Sequence, residues 1–105
     1  MHADISRHLS EMQALCRRYD VARLEVFGSA ARGADFDPAR SDADFLVEFE
    51  PGSVLSPLDQ FFGLADALER LLGRRVDLLE RGAVEASRNF IRRRQILADA
   101  QAVYG

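Results

Sequence analysis

Apolar and polar positions follow two different periods along this chain, and the changes of period divide it into elements. Over residues 4–19, Ile5, Leu9, Met12 and Cys16 recur every three or four positions, which predicts one helix with a single apolar stripe. Arg17 and Arg18 lie in its last turn, where cations suit the helix dipole. Residues 22–27 switch to a period of two and predict a strand, with Leu24 and Val26 on one face and Glu25 and Phe27 on the other. Gly28-Ser29 ends that strand, and Ala30-Ala31-Arg32 predicts a short helix. Residues 33–41 carry turn chemistry, with Asp35 and Asp37 as turn formers and Arg40 as a loop residue. A second strand follows over 43–49. Ala43, Phe45, Val47 and Phe49 share one face; Asp44, Leu46 and Glu48 share the other, with Glu48 a surface or supporting residue.

After a loop at 51–55, Ser56-Pro57-Leu58-Asp59 has the chemistry of a helix start: a hydroxyl cap, proline at the first position, an acid at the third. The helix is predicted to run to about Leu72, with Gly73 ending it. Its broad apolar face would be Leu58, Phe61, Phe62, Ala65, Leu68, Leu71 and Leu72. A third strand is predicted over 75–79 and a helix over 83–100, with Phe90, Ile91, Leu97 and Ala98 as its apolar side. Arg88, Arg92, Arg93 and Arg94 load the rest of that helix with positive charge. Such a run is either a solvated face or a contact for a nucleotide tail or an acidic partner. Ala102-Val103-Tyr104 predicts a short final strand. The order of elements makes this an α/β (α+β) protein, read as a single domain over 1–105 with no linker, repeat or low-complexity segment.

Composition narrows the possible chemistry. A chain of 105 residues can bury roughly 65% of its unfolded surface, enough for a layered core. A net charge of −3 argues against broad nonspecific nucleic-acid binding, though not against a local basic patch. All 14 basic residues are arginine. No lysine is therefore available as a phosphate ligand or Schiff-base nucleophile, and a phosphate clamp must use arginine, backbone N–H groups or metal. The single Cys16 excludes an internal disulfide and a cysteine-based zinc site. No apolar run approaches the ~20 residues of a membrane span. Met1 to Asp20 has no signal-peptide core, so a cytoplasmic protein is expected.

The candidate chemistry lies between the first two strands. Twelve residues separate Ser29 from Asp42. Gly28 would let a phosphate approach the backbone closely, and Ser29 adds a hydroxyl; alternatively the pair is a tight turn with Ser29 as an ordinary cap. Asp42 and Asp44 are spaced i, i+2 and project to one side. Two carboxylates on one face repel unless a cation sits between them. Oxygen-seeking Mg²⁺, which commonly accompanies nucleotide phosphates, is the natural candidate. The plainer alternative is a solvated strand start. Asp77 is embedded among Val76, Leu78 and Leu79, where a bare carboxylate is costly. It is either paired with Arg74 or Arg75, or at a sheet edge, or a third carboxylate facing Asp42 and Asp44. His2 and His8 have no metal-ligand spacing and read as surface residues.

Gly28-Ser29, Asp42-Ala43-Asp44 and Asp77 within Val76-Asp77-Leu78-Leu79, in this order of elements across about 22–80, resemble the minimal nucleotidyltransferases of the DNA polymerase beta superfamily. The resemblance implies a small mixed β-sheet with helices packed on it and metal-dependent transfer of a nucleotide from an NTP. Gly28 and Ser29 would hold the triphosphate. Asp42 and Asp44 would bind two Mg²⁺ ions. Asp77 would complete the carboxylate set and help deprotonate the attacking hydroxyl. Stand-alone chains of this length resemble the antitoxin half of HEPN–MNT toxin–antitoxin pairs. That likeness implies transfer of AMP from ATP to a tyrosine of a HEPN ribonuclease toxin encoded alongside, within a hetero-oligomer and away from membranes. The toxin's own Arg-x4–6-His signature is missing: neither His2 nor His8 has an arginine at that distance. Two alternatives remain open: an antitoxin that acts by binding alone, and nucleotidyl transfer to a small molecule or an RNA end.

Overall fold

The computed structural model of the chain describes residues 1–33, 37 and 42–105. Asp35, Arg40 and most of the turn-rich segment around them lie outside these residues. The elements run α1 (Ala3–Ser6), α2 (Leu9–Arg18), β1 (Val21–Phe27), α3 (Ser29–Arg32), β2 (Ala43–Phe49), α4 (Pro57–Leu72), β3 (Val76–Glu80), α5 (Arg81–Glu85), α6 (Phe90–Asp99) and β4 (Gln101–Tyr104).

The strands form one sheet in the order β3-β2-β1-β4. β1 pairs antiparallel with both β2 and β4, whereas β2 and β3 are parallel, so the sheet is mixed. A parallel neighbour needs a crossover, and α4 supplies it. Ser56 caps α4 by accepting from Asp59 N–H at 3.1 Å, Pro57 opens it, and Gly73 closes it in the left-handed conformation at φ 67°.

Alternation along β1 and β2 sends side chains into two cores. Leu24, Val26, Ala43, Phe45 and Val47 join Ile5, Met12, Cys16, Leu64 and Leu68 in the larger one, beneath α1, α2 and α4. Phe27 and Leu46, from the opposite face, pack with Val84 of α5 and Ile96 of α6. At roughly 25 cal/mol per Å² of apolar surface removed from water, a fully buried Phe45 or Leu64 stabilises the fold by about 1.5–3 kcal/mol relative to exposure.

Three expectations need correction. The helix predicted over 4–19 is broken at Arg7–His8. The His8 ring nitrogen lies 3.0 Å from the Asp4 carbonyl, the acceptor its own N–H would use in a continuous helix. That N–H bonds to the Ile5 carbonyl instead, at 3.1 Å, which tightens the turn and ends α1. The helix predicted over 83–100 is likewise two. Asn89 accepts from Arg92 N–H at 3.1 Å and Ser87 Oγ from Asn89 N–H at 3.2 Å, so the polar Ser87-Arg88-Asn89 segment is a helix start within the predicted helix. Finally, Leu58 and Phe62 are exposed, and so are Phe90 and Ile91. The most deeply buried residues of α4 are Gln60, Leu64 and Leu68, with Phe61, Ala65, Leu71 and Leu72 of the predicted face packed partly buried against the same core and Gln60 donating from Nε2 to the Tyr19 carbonyl at 3.1 Å. In α6 the buried residue is Ile96.

Candidate active site

The face of the sheet covered by α5 and α6 carries the polar residues singled out in the sequence. Asp44, one residue into β2, is flanked on both sides. Phe27, at the end of β1, is its partner on one side, and Asp77 of β3 is its partner on the other. Adjacent strands lie about 4.8 Å apart, and paired residues present their side chains to the same face. Asp42 immediately precedes β2 on the same alternation. Asp42 and Asp77 are exposed while Asp44 is half-buried, so the trio forms a rim with Asp44 deepest.

Asp77 satisfies two of its sequence readings together. β3 is an edge strand, which lets the carboxylate reach solvent, and it faces Asp44. Arg74 reaches Asp4 Oδ2 at 3.8 Å.

Gly28 closes the site from the β1 side. Its φ of 68° and ψ of −149° lie in a region open essentially to glycine alone. A Cβ built there would stand 2.7 Å from Asp44 Oδ2. The Gly28 backbone is therefore packed directly on the Asp44 carboxylate, and Ser29 follows as the first residue of α3.

The electrostatics follow from this crowding. Burial pushes the Asp44 carboxyl up to about 6, and the nearby charges of Asp77 and then Asp42 push the same way; Arg32 and Arg92 pull it down. Among the described residues, no three His, Cys, Asp or Glu side chains close into a ready-made metal cage. The donor set nonetheless fits a hard divalent cation: all-oxygen, anionic and self-repelling, with Asp42, Asp44 and Asp77 the residues that could hold it.

Some contributors escape the sequence motifs. Arg32, at the last position of α3, is ion-paired with Asp99 at the end of α6 and bears on Asp44. Arg92 of α6 also bears on Asp44. Their signals were faint: Arg32 is the fourth residue after Gly28, and Arg92 is one of a run. Glu25, buried beside the site, accepts from Arg81, with Arg23 Nε 3.6 Å away.

The sequence profile of the nucleotidyltransferase domain family matches residues 12–102, which include every one of these positions. The chain belongs to that family. It is accordingly an enzyme of the nucleotidyltransferase class. The provisionally named protein adenylyltransferase MJ0128 of Methanocaldococcus jannaschii is 42% identical over 72 residues, 68% of this chain and 67% of that protein. Protein adenylyltransferase MntA of Thermococcus cleftensis is 35% identical over 82 residues, 78% of this chain and 75% of that protein. Among solved structures, one provisionally assigned as a minimal nucleotidyltransferase superposes with a TM-score of 0.70 at 35% identity, over 96% of this chain and 95% of its own. A chain from the complex of tri-AMPylated Shewanella oneidensis HEPN toxin with MNT antitoxin shares the fold, with a TM-score of 0.60 at 18% identity over 95% of this chain and 71% of its own. The nucleotidyltransferase reading and the mixed sheet that the resemblance implied thus hold. No helix among the described residues is long and apolar enough to cross a membrane.

Proposed function

We propose that this protein is an antitoxin that transfers AMP from ATP to a tyrosine hydroxyl of a HEPN-type ribonuclease toxin, with Mg²⁺ as its metal. One observation carries the reading: Gly28, Asp44 and Asp77 occupy the ends of three adjacent strands on one face, with Gly28 packed against Asp44. The adenylyltransferase names of the relatives and the toxin–antitoxin complex support the choice of nucleotide and of acceptor.

In this reading Gly28 leaves room for the triphosphate beside its backbone, and the Ser29 hydroxyl donates to a phosphate oxygen. Asp42, Asp44 and Asp77 would hold two Mg²⁺ ions, which would supply charge neutralisation to the triphosphate. Arg32 adds a fixed positive charge, a task no lysine can perform in this chain. Asp77, exposed at the sheet edge, takes the proton of the incoming hydroxyl. The hydroxyl oxygen bonds to the α-phosphorus as the bond from that phosphorus to the bridging oxygen breaks, and pyrophosphate leaves. Positioning and charge neutralisation dominate such transfers.

The test is intact-mass spectrometry of the toxin encoded alongside, after incubation with this protein, ATP and Mg²⁺, beside an Asp42→Asn, Asp44→Asn double variant. Added AMP units with the wild type alone are expected. An unmodified toxin that both proteins still inhibit would replace transfer with inhibition by binding.

A further inference from the structure

Further along β3 on the carboxylate face, Leu79 lies two residues beyond Asp77 and opposite Leu46. It helps line a cavity of about 210 Å³ between β3, α5 and α6. Val84 and Ile96 are its apolar walls, and Ser87, Arg92 and Arg93 supply polar groups at its edge.

Its place in the sheet argues for a functional role. Gly28 and Ser29 follow β1, Asp44 is on the central β2, and Asp77 and Leu79 are on the edge strand β3. The cavity therefore adjoins the carboxylate rim on the side away from the Gly28–Ser29 turn. The volume falls below the roughly 300 Å³ at which pockets begin to enclose a drug-sized ligand, so it suits one ring rather than a whole nucleotide. Residues two apart on a strand are separated by roughly 6.6 Å, about the reach of an aromatic side chain that carries a hydroxyl. A ring against Leu79 would thus bring its hydroxyl to Asp77. The Arg93 guanidinium is already held over the Phe90 ring and by the Glu85 and Ser87 carbonyls; that of Arg92 suits an aromatic face, and Arg92 also bears on Asp44, which links cavity and rim. A serine or threonine acceptor would leave the apolar walls unfilled.

We propose that this cavity is the acceptor pocket and takes the ring of a tyrosine on the partner protein, with the phenolic oxygen beside Asp77. The proposal rests on the adenylyltransferase reading above. In the step it serves, the phenolic oxygen bonds to the α-phosphorus of ATP, the phenolic proton passes to the Asp77 carboxylate, and the broken bond releases pyrophosphate.

Methyl-resolved NMR of the full chain tests the pocket separately from the reaction. N-acetyl-tyrosinamide should shift the Val84 and Ile96 methyls, while N-acetyl-serinamide and ATP with Mg²⁺ should not. Ala83→Trp, which adds a ring from an exposed position on the cavity wall, should weaken the tyrosine-probe response at least tenfold. It should also raise KM for the toxin at least tenfold, with ATP affinity changed less than twofold. Methyl shifts produced by ATP, with weakened ATP binding in Ala83→Trp, would make the cavity a nucleotide subsite and overturn the proposal. Silence of both methyls toward the tyrosine probe would overturn it as well. An unmodified toxin with the wild-type protein would instead count against the transferase reading, whatever the methyls show.

Discussion

Replacing Gly28 with alanine examines the contact on which the site is built. Two penalties act together. The φ of 68° with ψ of −149° is essentially closed to residues with a Cβ, at a cost of about 1–3 kcal/mol. The new Cβ would also stand 2.7 Å from Asp44 Oδ2. The carboxylate must turn away, and an off-rotamer side chain costs about 0.5–1.5 kcal/mol. We expect Gly28→Ala to destabilise the protein by about 2–4 kcal/mol in urea denaturation. In an Asp44→Ala background the second penalty disappears, so the same substitution should cost about 0.5–1.5 kcal/mol less there. The displaced carboxylate should also lower kcat/KM for AMP transfer by about 100-fold, since misplacement by 1 Å has effects of that size. A Gly28→Ala protein as stable as the wild type would refute the conformation of this turn. An equal cost in both backgrounds would refute the transmission of strain to Asp44.

Other positions respond to different forces. Arg81→Met leaves the buried Glu25 carboxylate with the longer 3.6 Å pair to Arg23 and should cost about 1–3 kcal/mol in thermal or urea unfolding; the Arg81→Met, Glu25→Leu double variant should recover most of that, and equal losses in the two would argue against the ion pair. Ser56→Ala removes the cap of α4 and should cost about 1 kcal/mol, measurable as a lower urea midpoint with an unchanged slope. Burial pushes the Cys16 thiol up to about 12, against an ordinary value of 9.0. The folded state thus holds its proton where the unfolded state has lost it, so this contribution to stability is complete below pH 9 and declines as the pH rises from about 9 toward 12. Cys16→Ala should flatten that part of the stability profile, and native wild-type protein should resist iodoacetamide at pH 8 until urea unfolds it.

How much of this was legible in the sequence depends on the range of the interactions involved. Local chemistry was. The strand over 43–49 and the helix over 57–72 have the predicted bounds, because alternation, a serine cap, proline and a terminal glycine act within a few residues. The breaks at His8 and Asn89 are local too but do not show in the apolar pattern: periodicity continues across both, while the side chains that interrupt it bond to the backbone. The faces of α4 and α6 depart from the periodic stripe in part, for another reason. Periodicity supplies an apolar stripe but not its width, and packing against Tyr19, the larger core and the second core chose Gln60, Leu64 and Ile96 over Leu58, Phe62, Phe90 and Ile91.

For the site, the sequence by itself determined the residue types and the motif spacing: a Gly-Ser turn, two acids on one face, and a third acid in an apolar strand. Only the tertiary structure decided that Asp77 stands opposite Asp44, because that register is set by a parallel pairing across the whole of α4. It also decided that Arg32 and Arg92, sixty positions apart in the chain, converge on Asp44. Charge acts through space, and no spacing along the chain encodes which distant cation will be folded beside a given carboxylate.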